Sequence, residues 1–353
     1  NEWRVWETES YRAGSAFSQT MPLIHGRGAT FTRDGRVLSW MDAVEIHDPS
    51  SGAVAATILP ASERRHSEDV GDFPSAPVFV ASVGGTRALL TTRHAVHLAN
   101  TEAGTLDLQV EIAGCRQAEL SPDGQRAFAV IFDESIVRVF DTETGATLFE
   151  LPGQIARFDP TGTRILTLSR NNRGARVWDA RTGNLVSVLD LPTDQWNLPK
   201  ARAWEIWQNI TPRAHVYVFS PDGTRVVLPD ADWEALRGRS AYVYDVESGR
   251  RIAELRADFR GSPCIAFSPD SQRIATGRWV DPDGIGLIRD PGIRIWDASS
   301  GAQLLHLHVP SRDGYGTCSL AWSPDGARLA AGGYDGQISI FEAPAPGEPT
   351  DGP

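Results

Sequence analysis

Few residues of this chain stand at spacings that chemistry would need. Asp281-Pro282-Asp283-Gly284, with Asp290 close behind, loosely resembles an acidic calcium loop. It lacks the alternating oxygen ligands and the closing Glu of such a loop, and a solvated turn is the simpler reading. His306 and His308 share one face of a strand, and His94 and His97 lie close together near another. Either pair could be half of a metal site, but further ligands at matching spacing are missing, so structural histidines are expected. No nucleophile elbow, P-loop, His-Glu-x-x-His or Cys-x-x-Cys occurs. Cys115, Cys264 and Cys318 are odd in number and far apart, which indicates neither a disulfide framework nor a cysteine zinc motif but buried thiols in a reducing compartment. Asn209-Ile210-Thr211 matches a glycosylation sequon and has little meaning in an intracellular chain. On these residues no catalytic group, cofactor or metal is expected.

Recognition by aromatic side chains has stronger support. Trp196, Trp204, Trp207, Trp233 and the pair Arg278-Trp279 fall in stretches that interrupt an otherwise regular succession of turns. Trp and Arg are the residues most enriched where binding energy concentrates. The plain alternative for any one of them is a ring that packs a long loop onto the fold. That all of them serve only packing is the weaker reading.

The regular succession comes from a repeated unit, clearest between Ile155 and Leu189. There a first strand runs to the turn Asp159-Pro160-Thr161-Gly162, where Pro presets one dihedral and Gly relieves strain. A second strand follows over 164–169, rich in Ile, Leu and Thr. A third strand over 175–180 places Arg176 and Trp178 on one face, where an Arg over an indole adds a cation–π contact. Asp179 then serves the turn Arg181-Thr182-Gly183, and Leu185–Leu189 closes the unit. Equivalent turns are marked by Gly35, Gly85, Gly124, Gly162, Gly223, Ser271 and Gly326, spaced from 38 to 61 residues apart. A period near 40 residues means a toroid of repeated sheets.

Arg-Val-Trp-Asp at 176–179, Arg-Ile-Trp-Asp at 294–297 and the Ser-Pro-Asp-Gly turns at 121–124, 220–223 and 323–326 resemble the WD-repeat β-propeller family, over nearly the whole chain. The Gly-His pair that opens many repeats of that family is absent from nearly every unit, with Ile24-His25-Gly26 a reversed echo. In this the chain resembles divergent bacterial WD-repeat propellers. The resemblance implies an all-β, seven-bladed propeller of four-stranded antiparallel blades. The units map to 28–59, 76–112, 116–151, 154–190, 214–256, 262–309 and 315–343 of a single domain. The last unit stops after its third strand, and Gly14–Leu23 offers the missing fourth strand, opposite Gln337–Phe341. Such a pairing removes the exposed edges an open sheet would present. Residues 3–8 look like one more third strand, lying outside the closing blade or belonging to an upstream repeat. Residues 344–353, rich in Pro and Gly, read as a flexible tail.

Aligning strands places insertions near 60–75, 191–213, 230–240 and 279–291. In a propeller, loops between second and third strands and between successive units open on one face, opposite the Asp-Gly turns. Insertions confined to one face of a repeat array often mark its binding face. Lys200–Asn209 reads as a short helix carrying Trp204 and Trp207 on one side.

A net charge of −11, with Arg64-Arg65-His66 the one short basic cluster, disfavours nucleic acid. No apolar run reaches membrane-spanning length, and no signal peptide is seen. A cytoplasmic, monomeric propeller is expected. The chain begins with Asn1, so an upstream signal would make it periplasmic, and the family resemblance allows an upstream kinase or nucleotide-switch domain. The resulting expectation is a non-catalytic scaffold or sensor that takes a protein or peptide on its loop-rich face. The rivals are a propeller hydrolase or lyase, with Asp281, Asp283, Asp290 and a His at the channel mouth, and a periplasmic propeller.

Overall fold

A computed structural model describes residues 28–31, 36–40, 44–48, 50–59, 78–81, 86–91, 95–131, 134–169, 174–191, 217–229, 240–256, 262–279, 292–309, 317–333 and 338–342. These residues form antiparallel sheets in simple up-and-down order. The first sheet is β1 (Gly28–Phe31), β2 (Val37–Trp40), β3 (Val44–His47) and β4 (Val54–Leu59). The second is β5 (Val78–Ala81), β6 (Arg87–Thr91), β7 (Ala95–Asn100) and β8 (Thr105–Glu111). The third is β9 (Cys115–Leu120), β10 (Arg126–Ile131), β11 (Ile136–Asp141) and β12 (Thr147–Pro152). The fourth is β13 (Ile155–Phe158), β14 (Arg164–Ser169), β15 (Gly174–Asp179) and β16 (Leu185–Val188). The fifth is β17 (Val218–Phe219), β18 (Arg225–Pro229), β19 (Ser240–Asp245) and β20 (Arg251–Arg256). The sixth is β21 (Ser262–Phe267), β22 (Arg273–Trp279), β23 (Ile293–Asp297) and β24 (Gln303–Leu307). The seventh is three-stranded among the described residues: β25 (Thr317–Trp322), β26 (Arg328–Gly333) and β27 (Ile338–Glu342). Seven such sheets in succession are the blades of a seven-bladed β-propeller.

The strands follow from their residues. Several second and third strands are buried on both sides and read as apolar runs, such as Ala127–Ile131 and Ala241–Tyr244. Fourth strands are outermost and mostly exposed, as in β8 and β24. Each third-to-fourth turn ends in a Gly at positive φ, from Gly104 at 68° to Gly183 at 73°, a conformation other residues enter at a cost.

By contact density the chain divides into two compact units. One comprises Asn1–Phe158, Thr167–Ser169 and Ala180–Gly183; the other comprises Asp159–Leu166, Arg170–Asp179 and Asn184–Pro353. In the first, one core gathers Leu38, Val44, Ile46 and Ile58 with Ala88, Leu90 and Ala99, and a second gathers Leu89, Val96 and Leu98 with Ala118, Leu120 and Phe140. Each of these cores is shared between successive sheets. In the second unit, Val227, Val243 and Leu255 pack with Ile265, Ile274 and Trp296, and Ala275, Ile293 and Ile295 pack with Leu329 and Ala331. The indole N–H of buried Trp296 donates to Thr276 Oγ1 at 2.8 Å, which explains how the third-strand Trp is tolerated there.

Gly14–Leu23, residues 3–8 and the 344–353 tail lie outside the described residues, as do Gln337 and the proposed short helix at 200–209.

Candidate interaction surface

Each blade has two ends, and their chemistry differs. At one end stand the short turns. In the Ser-Pro-Asp turns the serine hydroxyl donates to the aspartate, at 2.5 Å for Ser121 to Asp123 and for Ser220 to Asp222. It also accepts the amide that opens the second strand, from Arg126 at 3.0 Å and from Arg225 and Arg273 at 2.9 Å each. In the fourth repeat Asp159 stands in the serine position and accepts the Arg164 amide at 2.7 Å. After the third strand, Asp48, Asp141, Asp245 and Asp297 collect amides and hydroxyls of the next residues, as Asp297 does from Ser300 N and Oγ at 2.8 Å each. The hydroxyls of Ser50 and Ser51 lower the Asp48 carboxyl to about 2, and those of Ser299 and Ser300 lower Asp297 well below the usual range.

These turns also join one blade to the next. An arginine opens every second strand: Arg36, Arg87, Arg126, Arg164, Arg225, Arg273 and Arg328. Arg36 Nη2 donates to Thr101 O at 2.8 Å, Arg87 Nη1 to Thr142 Oγ1 at 2.6 Å and Arg126 Nη1 to Ala180 O at 2.7 Å, each on the following sheet. In the second unit Arg164 pairs with Glu247 at 3.2 Å, Arg225 Nη1 donates to Ser271 O at 3.0 Å, and Arg273 lies 4.9 Å over the Trp322 ring. The turn glycines make the reciprocal contact. A Cβ on Gly145 would stand 3.1 Å from Val110, one on Gly183 2.8 Å from Phe149, and one on Gly301 2.6 Å from Glu254 O, each on the outer strand of the preceding sheet. The arginine column has a signal in the sequence, because Gly-x-Arg or Gly-Arg recurs at nearly every first turn.

A polar cavity of about 440 Å³ lies at this end of the second and third sheets, lined by Thr86, Arg87, Asp123, Gly124, Gln125, Asp141, Thr142 and Glu143. Its groups are engaged with one another. Thr142 Oγ1 accepts from Arg87 and donates to Gly124 O at 2.7 Å, while Asp123 and Asp141 hold turn amides. Nothing in it pairs a nucleophile with a base. Among the described residues no group of three or more His, Cys, Asp or Glu gathers around a point that could hold a metal ion. His97 is buried in β7, and His306 and His308 are exposed on or beside β24.

At the opposite end of each blade stand the termini from which the long segments depart. Residues 60–77 leave the end of β4 and return to β5, and 192–216 lie between the fourth and fifth sheets. Residues 230–239 connect β18 to β19, and 280–291 connect β22 to β23. Trp196, Trp204, Trp207 and Trp233 lie within these segments, outside the described residues. Arg278 and Trp279 end β22, in register with Pro263 and Ser262 at the start of β21. On the fifth sheet, Ser240 at the start of β19 donates to Glu254 at 2.8 Å, and Arg251 stacks 5.0 Å from the Tyr242 ring centroid.

The repeated sheets with their Asp-Gly turns define a propeller assembled from tandem repeats. Residues 253–297 and 307–342 match the family described as WD domain, G-beta repeat. These two stretches of the chain are similar to WD repeats. The chain is 25% identical over 148 residues to the WD repeat-containing protein VIP3 of Arabidopsis thaliana, an alignment covering 40% of this chain and 42% of that protein. The crystal structure of the computationally designed Ika8 protein superposes with a TM-score of 0.64 at 14% identity, covering 97% of this chain and 90% of that one, a likeness of fold alone. Among the described residues no helix is long and apolar enough to cross a membrane.

Proposed function

We propose that the protein is a non-catalytic scaffold or sensor module that takes a protein or peptide on the loop ends of its blades, with Trp196, Trp204, Trp207, Trp233, Arg278 and Trp279 as the recognition residues. WD repeats generally mediate protein–protein interaction, so a protein partner follows from the class. One observation favours the loop end over the turn end: at the turns the polar groups are committed to holding blades together. The arginine column and the turn aspartates have their hydrogen bonds within and between blades. The long segments instead carry rigid indoles, which lose little side-chain entropy on binding and exclude water.

Paired substitution of Trp204→Ala with Trp207→Ala, or of Arg278→Ala with Trp279→Ala, is expected to weaken capture of the partner about tenfold or more while the melting temperature changes little. Glu102→Ala with Glu143→Ala at the turns is expected to leave capture unchanged. Immobilised wild type and both variant sets, presented with source lysate and compared by the bands retained, measure this. Loss of capture from the turn variants alone moves the binding site to the other end of the blades. Capture is also expected to lack the steep salt dependence of phosphate binding, since the chain is acidic.

A further inference from the structure

One position of the third strand, three residues before the turn aspartate, can be compared between sheets. In the third sheet it holds Arg138, in register with Glu150 of β12, and the two pair at 2.8 Å. In the fifth it holds Tyr242, in register with Glu254 of β20, which accepts the Ser240 hydroxyl at 2.8 Å. In the fourth it holds Arg176, and the residue in register with it on β16 is Val188. The cation is present there without the carboxylate that faces Arg138. Arg176 Nη1 is buried and has no hydrogen-bond partner among the described residues.

The surroundings of Arg176 are apolar and open. Residues directly opposite on paired strands share a face, so Arg176 lies beside Val188, with half-buried Trp178 beside Leu185. Leu185 and Val188 are each 51% exposed, although both are large aliphatics. They stand on β16, the last strand of its sheet, whose far edge has no partner among the described residues. The opposite face of β16 is already used, since Ser187 donates to Val246 O of the fifth sheet at 2.6 Å. The carboxylates at the turn end are used as well: Arg164 pairs with Asp179 at 3.3 Å and with Glu247 at 3.2 Å.

We propose that this face of the fourth sheet is a docking surface for an extended acidic segment of a partner protein, whose Asp or Glu carboxylate takes Arg176 while its apolar neighbours cover Leu185 and Val188. A guanidinium nitrogen already withdrawn from water gains an acceptor without paying that desolvation again, and a carboxylate matches the guanidinium fork. The free edge of β16 suits an extended chain, which can add to it as a further strand. Charge complementarity selects a carboxylate over a phosphate. The equivalent Arg138 is matched by a glutamate, and the residues beside Arg176 are aliphatic where a doubly charged phosphate calls for further cations. None of these residues belongs to the set assigned to the loop ends, so the two surfaces stand or fall separately.

A random heptapeptide library displayed on phage, selected on the full chain and counter-selected on Val188→Glu, tests this. Val188→Glu sets a carboxylate where Glu150 stands in the third sheet and so fills Arg176 from within the chain. It is expected to melt higher than Val188→Gln at neutral pH. Surviving peptides are expected to carry Asp or Glu between apolar residues. Synthesised singly, they are expected to bind Arg176→Met and Val188→Glu at least about tenfold more weakly than wild type, and Gln in place of the acid is expected to cost as much. Binding to Trp204→Ala with Trp207→Ala is expected to match wild type. Absence of survivors, survivors without an acid, or acidic peptides held equally by Arg176→Met overturns the docking surface. If Arg176→Met does not fold, the exposed position decides: equal melting of Val188→Glu and Val188→Gln overturns the geometry.

Discussion

At the scale of single residues, the turn carboxylates and Glu119 pull stability in opposite directions with pH. Asp48 and Asp297 gain hydrogen bonds on folding and titrate lower in the folded protein than in the unfolded chain. Their contribution is present above the ordinary carboxylate range and is lost as pH falls through it toward about 2. Thermal melts between pH 6 and pH 2 should therefore show Tm falling below about pH 4. Asp297→Ala should lower Tm at neutral pH by a few degrees and reduce that acid slope. A slope unchanged by the substitution would mean the serine hydroxyls hold the turn without the carboxylate. Glu119 works the other way, since its folded value is raised and its contribution fades as pH climbs toward neutrality.

At the scale of elements, a blade is held by its neighbours at least as much as by its own ladder. The first-turn glycine shows this. Gly223 has φ of 72°, and a Cβ there would stand 2.5 Å from Asp159 Oδ2 on the preceding sheet. Gly223→Val is thus expected to cost about 2 kcal/mol or more, from backbone strain plus a disrupted inter-blade turn. Gly301→Ala, which meets Glu254 O, should behave alike. Arg225→Met keeps the aliphatic stem and removes the bond to Ser271 O, and about 1–2 kcal/mol is expected from the lost charge-assisted contact. Urea titration of each variant gives the values. Full stability with loss of partner capture in any of them would reassign the turns from structure to function.

At the scale of the whole molecule, stability depends on how many sheets have both neighbours. In the seventh sheet β27 is the last strand among the described residues, and it leaves Ile338 72% and Ile340 59% exposed. An apolar strand with unpaired backbone groups is a site for pairing or aggregation. We propose, from the repeat pattern in the sequence, that Gly14–Leu23 takes that position. Deletion of residues 1–23 is accordingly expected to lower Tm and raise the rate of aggregation at micromolar concentration. A melting curve identical to that of the intact chain would remove these residues from the closing blade.

Much of this protein is written locally. The Ser-Pro-Asp turns are legible because their hydrogen bonds close within five residues, from Ser121 to Arg126 and from Ser268 to Arg273. The Asp-to-Gly turns after the third strand are legible for the same reason. Alternation and β-branched runs then place the strands, and the repeat implies the propeller. The candidate binding residues stand out as interruptions of that period, a property of chain length between strands and not of side-chain contacts. What the arginines do was hidden, since Arg126 and Ala180 are 54 residues apart and only the packing of one sheet on the next brings them within 2.7 Å. The second reason for glycine at Gly183 and Gly301 was hidden likewise, because φ can be inferred from the turn but the neighbouring strand cannot. Glu119 is the extreme case. In Cys-Arg-Gln-Ala-Glu-Leu it is one more polar residue at an alternating position, and only withdrawal from water in the folded chain pushes that carboxyl up to about 7, against the opposing charge of Arg157. Local bonding determined the turns and strands, and the juxtaposition of sheets, which no spacing encodes, decided what the side chains between them became.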